Sequence, residues 1–281
     1  MNDAMRELEV ARQAAQVGGD ILAGYFRQGI EMRTKQDCDF VSDADVESER
    51  AIIDAIRSTF PNHAILGEEG QSGTAETLDI NAESLWVIDP LDGTTNFAHD
   101  IPHFAVSIGF YQRGQPVCGV IYNPARGLVS RCSRKRCAFA NDRKVRVADH
   151  ASLSDSLVGV GFYYDRGAMM EATLASIRDL FQQKIHGIRR FGTASLDLCQ
   201  VGCGQFGAFF EYELSPWDFA AGRLFVEEAG GRVTNCRGDA LPLAKSSVLA
   251  SNGKLHDSIL KIVSGNLPDQ DCLRDSSKEK L

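Results

Sequence analysis

The chain has 281 residues and a formal net charge of −8, with 43% hydrophobic and 24% charged residues, enough for one large domain or two tightly fused lobes. The acidic balance and the lack of a long Lys/Arg block argue against nucleic acid as the main ligand, because such binding draws on clustered basic residues that neutralise phosphates. Met1 to Glu7 does not read as a secretory signal and no apolar stretch reaches membrane-spanning length, so the eight cysteines are expected to be free thiols in a reducing cytoplasm.

Met5, Leu8, Val17, Ile21, Leu22, Tyr25 and Phe26 fall mostly at helical spacing and predict an amphipathic helix weakened at Gly18-Gly19. Residues 34–45 read as a polar, acidic loop. Val46, Ile52, Ile53, Ile56 and Phe60 then mark a second helix that Pro61 terminates. Residues 64–67 and 84–88 read as short strands that deliver Glu68 and Asp89 at their carboxyl ends, with a polar surface excursion at 71–82 between them. From 104 to 147, the apolar runs 106–111, 117–122 and 128–130 alternate with Gly, Asn and Pro turns, the pattern of an antiparallel meander. The Arg131 to Arg136 cluster reads as a solvated hairpin. Beyond Ser156, strand-like 157–161, 188–191 and 208–210 alternate with helix-like 169–181, 195–201 and 219–229, which indicates α/β layering. The expected organisation is a lobe over 1–155, an α/β lobe over 156–265 and a flexible polar tail over 266–281.

The most informative stretch is Trp86-Val87-Ile88-Asp89-Pro90-Leu91-Asp92-Gly93-Thr94-Thr95-Asn96-Phe97, an apolar strand that ends in two acids and a Gly-Thr-Thr turn. A lone Asp-Gly is an ordinary turn. Here, though, carboxylate oxygens suited to a hard cation such as Mg2+ stand beside a glycine that lets backbone approach an anion. A helix opening at Thr94 would turn free N–H groups toward a phosphate. Two further acidic elements accompany it, Gly67-Glu68-Glu69 before and Trp217-Asp218-Phe219-Ala220-Ala221-Gly222 after.

These three ordered motifs resemble the signatures of the inositol monophosphatase family, and the resemblance runs from the N-terminal helix to about Gly265. It implies an α/β (α+β layered) fold, an αβαβα sandwich with an antiparallel sheet in the N-terminal half and a second, mixed sheet in the C-terminal half. It further implies a cytoplasmic, homodimeric phosphatase that hydrolyses myo-inositol monophosphates with two or three Mg2+ ions and is inhibited by lithium. Carried over by position, the metal ligands are Glu68, Asp89, the carbonyl of Leu91, Asp92 and Asp218, with Asp45 at a weaker outer site. Glu68 and Thr94 correspond to the pair that holds and activates the attacking water, and Asp92 lies near the leaving oxygen. Gly93, Thr94 and Thr95 correspond to the phosphate cradle. Gly192, Thr193 and Ala194 lie beside the substrate ring, whose hydroxyls Glu211 and Asp218 meet, and Lys35 and Asp39 belong to a mobile loop. Ser42 replaces a usual threonine there and keeps the hydroxyl. His99 and His103 are expected to be structural.

Four acids so gathered repel one another by roughly 4 kcal/mol per pair at contact distance and an effective dielectric near ~20, which makes sense only if cations join them. The nearest alternative within the class is a broader sugar-phosphate phosphatase acting on fructose 1,6-bisphosphate. Histidinol phosphate and 3'-phosphoadenosine phosphate are remoter substrates. From a different class, the resemblance allows a non-catalytic role in the transcription machinery through contact with RNA polymerase.

Overall fold

The computed structural model of the chain describes the backbone of residues 3–28, 33–36, 39–41, 43–70, 82–162 and 166–268, and the side chains of 6–27, 43–70, 82–162 and 166–268. Helix α1 (Asp3–Gln28) is followed by a small antiparallel pair, β1 (Arg33–Gln36) and β2 (Asp39–Val41), and by α2 (Asp43–Thr59). A seven-stranded sheet comes next and takes its strands in chain order: β3 (Ala64–Gly67), β4 (Leu85–Asp92), β5 (Ala105–Gln112), β6 (Gln115–Asn123), β7 (Leu128–Ser133), β8 (Cys137–Ala140) and β9 (Arg143–Val145). The first pair is parallel, and every later pair is antiparallel, as a meander of tight turns dictates.

Alternation along the strands explains the layering. Trp86, Ile88, Val106, Ile108, Phe110 and Val120 face α1 and α2, whereas Leu85, Val87, Tyr111, Ala105 and Ile121 face the opposite way. Both faces are apolar, so both must be covered. The second face is covered by α5 (Ala194–Gly202) and α6 (Pro216–Glu228). Beyond them lies a five-stranded mixed sheet of β10 (Leu157–Val160), β11 (Gly187–Arg189), β12 (Ala208–Leu214), β13 (Arg232–Thr234) and β14 (Ser246–Ser251), in the order β11-β10-β12-β14-β13. Its far face packs on α4 (Ala168–Gln182) and α7 (His256–Asn266). The result is the expected αβαβα sandwich.

Several local expectations are corrected. Helix α1 runs unbroken through Gly18 and Gly19, and packing accounts for both: a Cβ on Gly18 would lie 2.6 Å from Ile52 and one on Gly19 2.4 Å from Tyr122, so the glycines allow close approach to α2 and β6. Helix α2 starts at Asp43 rather than Val46 and draws Asp45 into its first turn, where the helix dipole favours acids. Strand β4 continues to Asp92, past the expected end at Ile88. Helix α7 reaches Asn266, the first residue of the expected tail. The excursion at 71–81, Ser42 and the tail from 269 onward lie outside the described residues, as do the side chains of Lys35 and Asp39.

Small residues set how closely α6 approaches the first sheet. Gly109 and Gly119 are cross-strand partners on β5 and β6, and a Cβ on either would lie 3.0 to 3.2 Å from Ala220 or Ala221. The Tyr111 hydroxyl donates to the Ala220 carbonyl at 3.0 Å across the same contact. The basic hairpin between β7 and β8 is solvated, as expected, and its turn is fastened by Glu228, whose carboxylate accepts the amides of Lys135, Arg136 and Cys137. The six described cysteines are free thiols, four of them buried. Among the described residues, no helix is long and apolar enough to cross a membrane.

Candidate active site

In a regular strand, residues three apart point to opposite faces, so Asp89 and Asp92 should diverge. A bulge prevents it. Asp89 pairs with Ser107 and Asp92 with Ala105, so three steps on β4 match two on β5 and both acids share a face. Pro90, which has no N–H to offer the ladder, sits within the irregularity. One Asp89 oxygen accepts the Leu91 amide at 3.0 Å, the Thr94 hydroxyl donates to the Leu91 carbonyl at 3.0 Å, and Ser48 of α2 donates to the Pro90 carbonyl at 3.2 Å.

Gly93 follows with φ of 93°, a left-handed conformation that permits the chain to turn at once into α3 (Thr94–Ala98). A Cβ there would lie 2.4 Å from the Thr193 hydroxyl, so the turn also needs the space. Asn96 is the pin between the two halves of the chain: its amide nitrogen donates to the carbonyls of His103 at 2.8 Å and Phe191 at 2.7 Å. Thr193 donates to the His103 carbonyl at 2.7 Å. His103 takes part in this tie through its backbone carbonyl.

From the second half, Asp218 arrives in the first turn of α6, behind Ser215 and Pro216, residues that favour a helix start. Its carboxylate accepts the Ser215 amide at 2.7 Å. Asp92 is held similarly, accepting the Ser195 amide at 2.7 Å from the first turn of α5. Burial pushes the Asp92 carboxyl up to about 6, with the Ser195 amide pulling it back. Burial likewise raises Asp89 well above the usual carboxylate range, reinforced by Glu68, Asp92 and Asp218, and raises Asp218, reinforced by Asp92. None of the leading influences on these three acids is a cation. Glu68, in the turn after β3, keeps partial solvent access, as does Asp218.

The structure therefore brings Glu68, Asp89, Asp92 and Asp218 into one electrostatic neighbourhood, with Gly93 to Thr95 beside it. Among the described residues, no three acidic, imidazole or thiol side chains meet tightly enough to form a ready-made ion cage. Asp89, Asp92 and Asp218 are each tied back by a backbone amide. The donor chemistry, carboxylates with a nearby backbone carbonyl and no sulfur, fits a hard cation. Asp45 is buried in the first turn of α2. Glu211 lies on β12, buried against Gly161, where a Cβ would overlap its carboxylate. Burial pushes it up to about 8, opposed by the Arg190 guanidinium.

Sequence reasoning missed three participants. Ser195 and Asn96 act through groups that no pattern of acids reveals, although Asn96 stands within the strongest motif. Asp197 on α5 is buried with one carboxyl oxygen lacking a hydrogen-bond partner. Burial, then Asp92, raises its carboxyl. An acid at an apolar helical position, as in Leu196-Asp197-Leu198, is the signal that could have found it.

Comparison with known proteins agrees with this geometry. The Inositol monophosphatase family profile matches residues 3–267. The Nus factor SuhB of Pseudomonas aeruginosa is 40% identical over 265 residues, covering 93% of this chain and 97% of the relative. The inositol-1-monophosphatase of Rhizobium meliloti is 36% identical over 265 residues, covering 94% and 98%. Among solved structures, the inositol monophosphatase from Anabaena superposes with a TM-score of 0.83 at 38% identity, covering 96% of this chain and all of that one. With the fold, the three acidic motifs and the full-length match in agreement, the chain belongs to the inositol monophosphatase family.

Proposed function

We propose that this chain is a Mg2+-dependent phosphatase that hydrolyses myo-inositol monophosphates. The observation that carries the reading is the gathering of Glu68, Asp89, Asp92 and Asp218, with no cation among the leading influences on the three aspartates. Such a cluster is poorly tolerated unless divalent ions bind it. Glu68, Asp89, the Leu91 carbonyl, Asp92 and Asp218 would hold them, with Asp45 at an outer position. Bound there, Mg2+ supplies Lewis acidity for the phosphoryl oxygens and lowers the pKa of a water.

The chain's own groups do the rest. Glu68, with partial solvent access, accepts the proton of the attacking water, and the Thr94 hydroxyl, fixed by the Leu91 carbonyl, orients that water. The Gly93, Thr94 and Thr95 amides meet the phosphate oxygens. Gly192, Thr193 and Ala194 border the sugar ring. Glu211, held neutral near physiological pH, can both donate to and accept from ring hydroxyls, and a substrate lacking them would leave it unpaired.

The test is phosphate release from inositol monophosphates, fructose 1,6-bisphosphate, histidinol phosphate and 3'-phosphoadenosine phosphate, with and without Mg2+. Inositol monophosphates should give the highest kcat/KM, and lithium should inhibit more than sodium at matched ionic strength. Preference for fructose 1,6-bisphosphate would overturn the substrate assignment, and turnover in the presence of a chelator would overturn the metal. A second reading, contact with the transcription machinery, is favoured by the name Nus factor carried by the P. aeruginosa relative. It predicts a stoichiometric RNA polymerase complex that survives Asp92→Asn.

A further inference from the structure

Residues 131–146 hold seven Arg or Lys against one acid, Asp142, in a chain whose net charge is −8. They form the outer edge of the seven-stranded sheet: the end of β7, the turn Arg134-Lys135-Arg136, β8 and the edge strand β9. Of the seven, Arg131 alone pairs with a carboxylate among the described residues, Asp142 at 3.6 Å, and the other six are exposed. Unpaired cations on one edge repel one another, a cost that an anionic partner removes. The turn itself is held from within: the Glu228 carboxylate accepts the amides of Lys135, Arg136 and Cys137 at 2.7, 3.0 and 3.2 Å, so that acid serves the main chain and leaves the basic side chains to a partner.

Across the strands, Arg131, Phe139 and Lys144 are paired in one row. Their strand neighbours Ala138 and Val145 are buried in the cluster shared with α5 and α6, so the row points to the other side of the sheet. There Phe139 is half-buried, and the Arg131 guanidinium lies over its ring at 5.1 Å. The edge thus carries a run of point charges beside a flat guanidinium–ring stack, and the two together select the partner. Cations spread over a turn and an edge strand follow a bent, flexible polyanion better than a plane of lipid headgroups, and the Arg134-Lys135-Arg136 turn offers no apolar side chain to enter a membrane. Arginine and phenylalanine faces are surfaces on which nucleic-acid bases stack. An acidic peptide would use the charges but not the ring.

We propose that this edge binds single-stranded nucleic acid through its phosphates and base faces, as a second ligand apart from the acid cluster. The acidic remainder of the chain repels the strand, so contact is confined to the edge and binding is weak and strongly salt-dependent. The test is fluorescence anisotropy of labelled uridine and deoxythymidine oligonucleotides with the full chain in excess chelator, a condition in which the acid cluster repels phosphate. Both sugars should bind alike, with Kd on the order of 10 μM near physiological salt and weakening by about 0.7 logarithmic units per phosphate contacted for each tenfold rise in salt. Arg134→Gln, Lys135→Gln and Arg136→Gln combined should weaken binding by about tenfold or more and reduce that salt slope by about 2, with melting unchanged. Phe139→Leu, which keeps every charge, should weaken it by about fivefold or more through lost stacking.

Absence of binding at low salt overturns the proposal, as does full retention of binding in the triple variant. Polyglutamate binding as tightly as the oligonucleotides would assign the edge to an acidic protein segment instead. Capture by phosphatidylserine vesicles without oligonucleotide binding would assign it to a membrane surface. A preference of about tenfold or more for one sugar would show that hydroxyls, rather than phosphates and base faces, are what the edge reads.

Discussion

Asp92 and Glu211 are both buried acids beside a strand irregularity, one on each sheet, yet they end in different chemical states. Burial raises both. Asp92 has the Ser195 amide at 2.7 Å drawing its carboxyl back to about 6. Glu211 is opposed chiefly by the Arg190 charge and stays near about 8. A hydrogen bond to the charged form is directional and close, and so outweighs a guanidinium that makes no ion pair. At neutral pH one acid is therefore mostly ionised and suited to a cation, while the other is mostly neutral and suited to hydroxyls. Position in the strand explains neither outcome; the N-terminus of α5 explains the first.

The largest test of that contrast removes the charge of Asp92. Asp92→Asn should lower kcat by about a thousandfold or more, the scale of losing a group essential to transition-state stabilisation. The fold should persist. A raised carboxyl pKa contributes stability that is lost as pH rises through the folded value, so the asparagine variant should gain on the unaltered chain between pH 3.8 and about 6. Near-normal turnover in the folded variant would show that Asp92 has no part in the reaction.

A subtler change would make Asp92 resemble Glu211. Ser195→Pro deletes the donating N–H at a first-turn helix position that tolerates proline. Loss of a charge-assisted hydrogen bond should raise the Asp92 pKa by about one unit, and activity near pH 6 should fall by roughly five- to sixfold. An unmoved acid limb of the pH–rate profile would mean that the amide does not set the charge of Asp92.

A smaller effect is expected at Glu211. Glu211→Gln should lower kcat/KM for inositol monophosphate by about fivefold while leaving glycerol 2-phosphate nearly unchanged, a modest loss because the amide mimics a neutral acid. The unaltered chain should change its preference between the two as pH rises through about 8, and the glutamine variant should not. Equal losses on both substrates would place Glu211 outside the specificity pocket.

The smallest effect is on melting. Glu211 contributes stability below its unfolded value of 4.5 that is lost as pH rises through about 8, so Glu211→Gln should gain a few degrees on the unaltered chain across that window and no more above it. A constant difference at every pH would show that Glu211 does not titrate as described.

Much of this was legible from residue order. The alternation of Val106 to Phe110 and of Val117 to Tyr122 gave the meander, and the acids ending β4 marked the site. What could not be read depends on distant partners. The bulge that turns Asp89 and Asp92 to one face appears only in the unequal pairing with β5. Gly18 and Gly19 read as a weak point in the helix because propensity is local, while the reason for them, Ile52 and Tyr122, lies on other elements. Strands of three residues such as β9 and β13 carry too few positions to show a period.

The close seat of α6 on β5 and β6 has a consequence for the chain as it leaves the ribosome. When synthesis has passed β9, Glu68, Asp89 and Asp92 exist, but the sheet face carrying Gly109 and Gly119 is still bare, because the helix that covers it is encoded beyond residue 215. The nascent sheet must wait with an apolar face open, the condition under which partly made domains associate wrongly. Once α6 docks, one event closes that face and delivers Asp218. The last of the four acids thus joins the others only when the molecule is nearly complete.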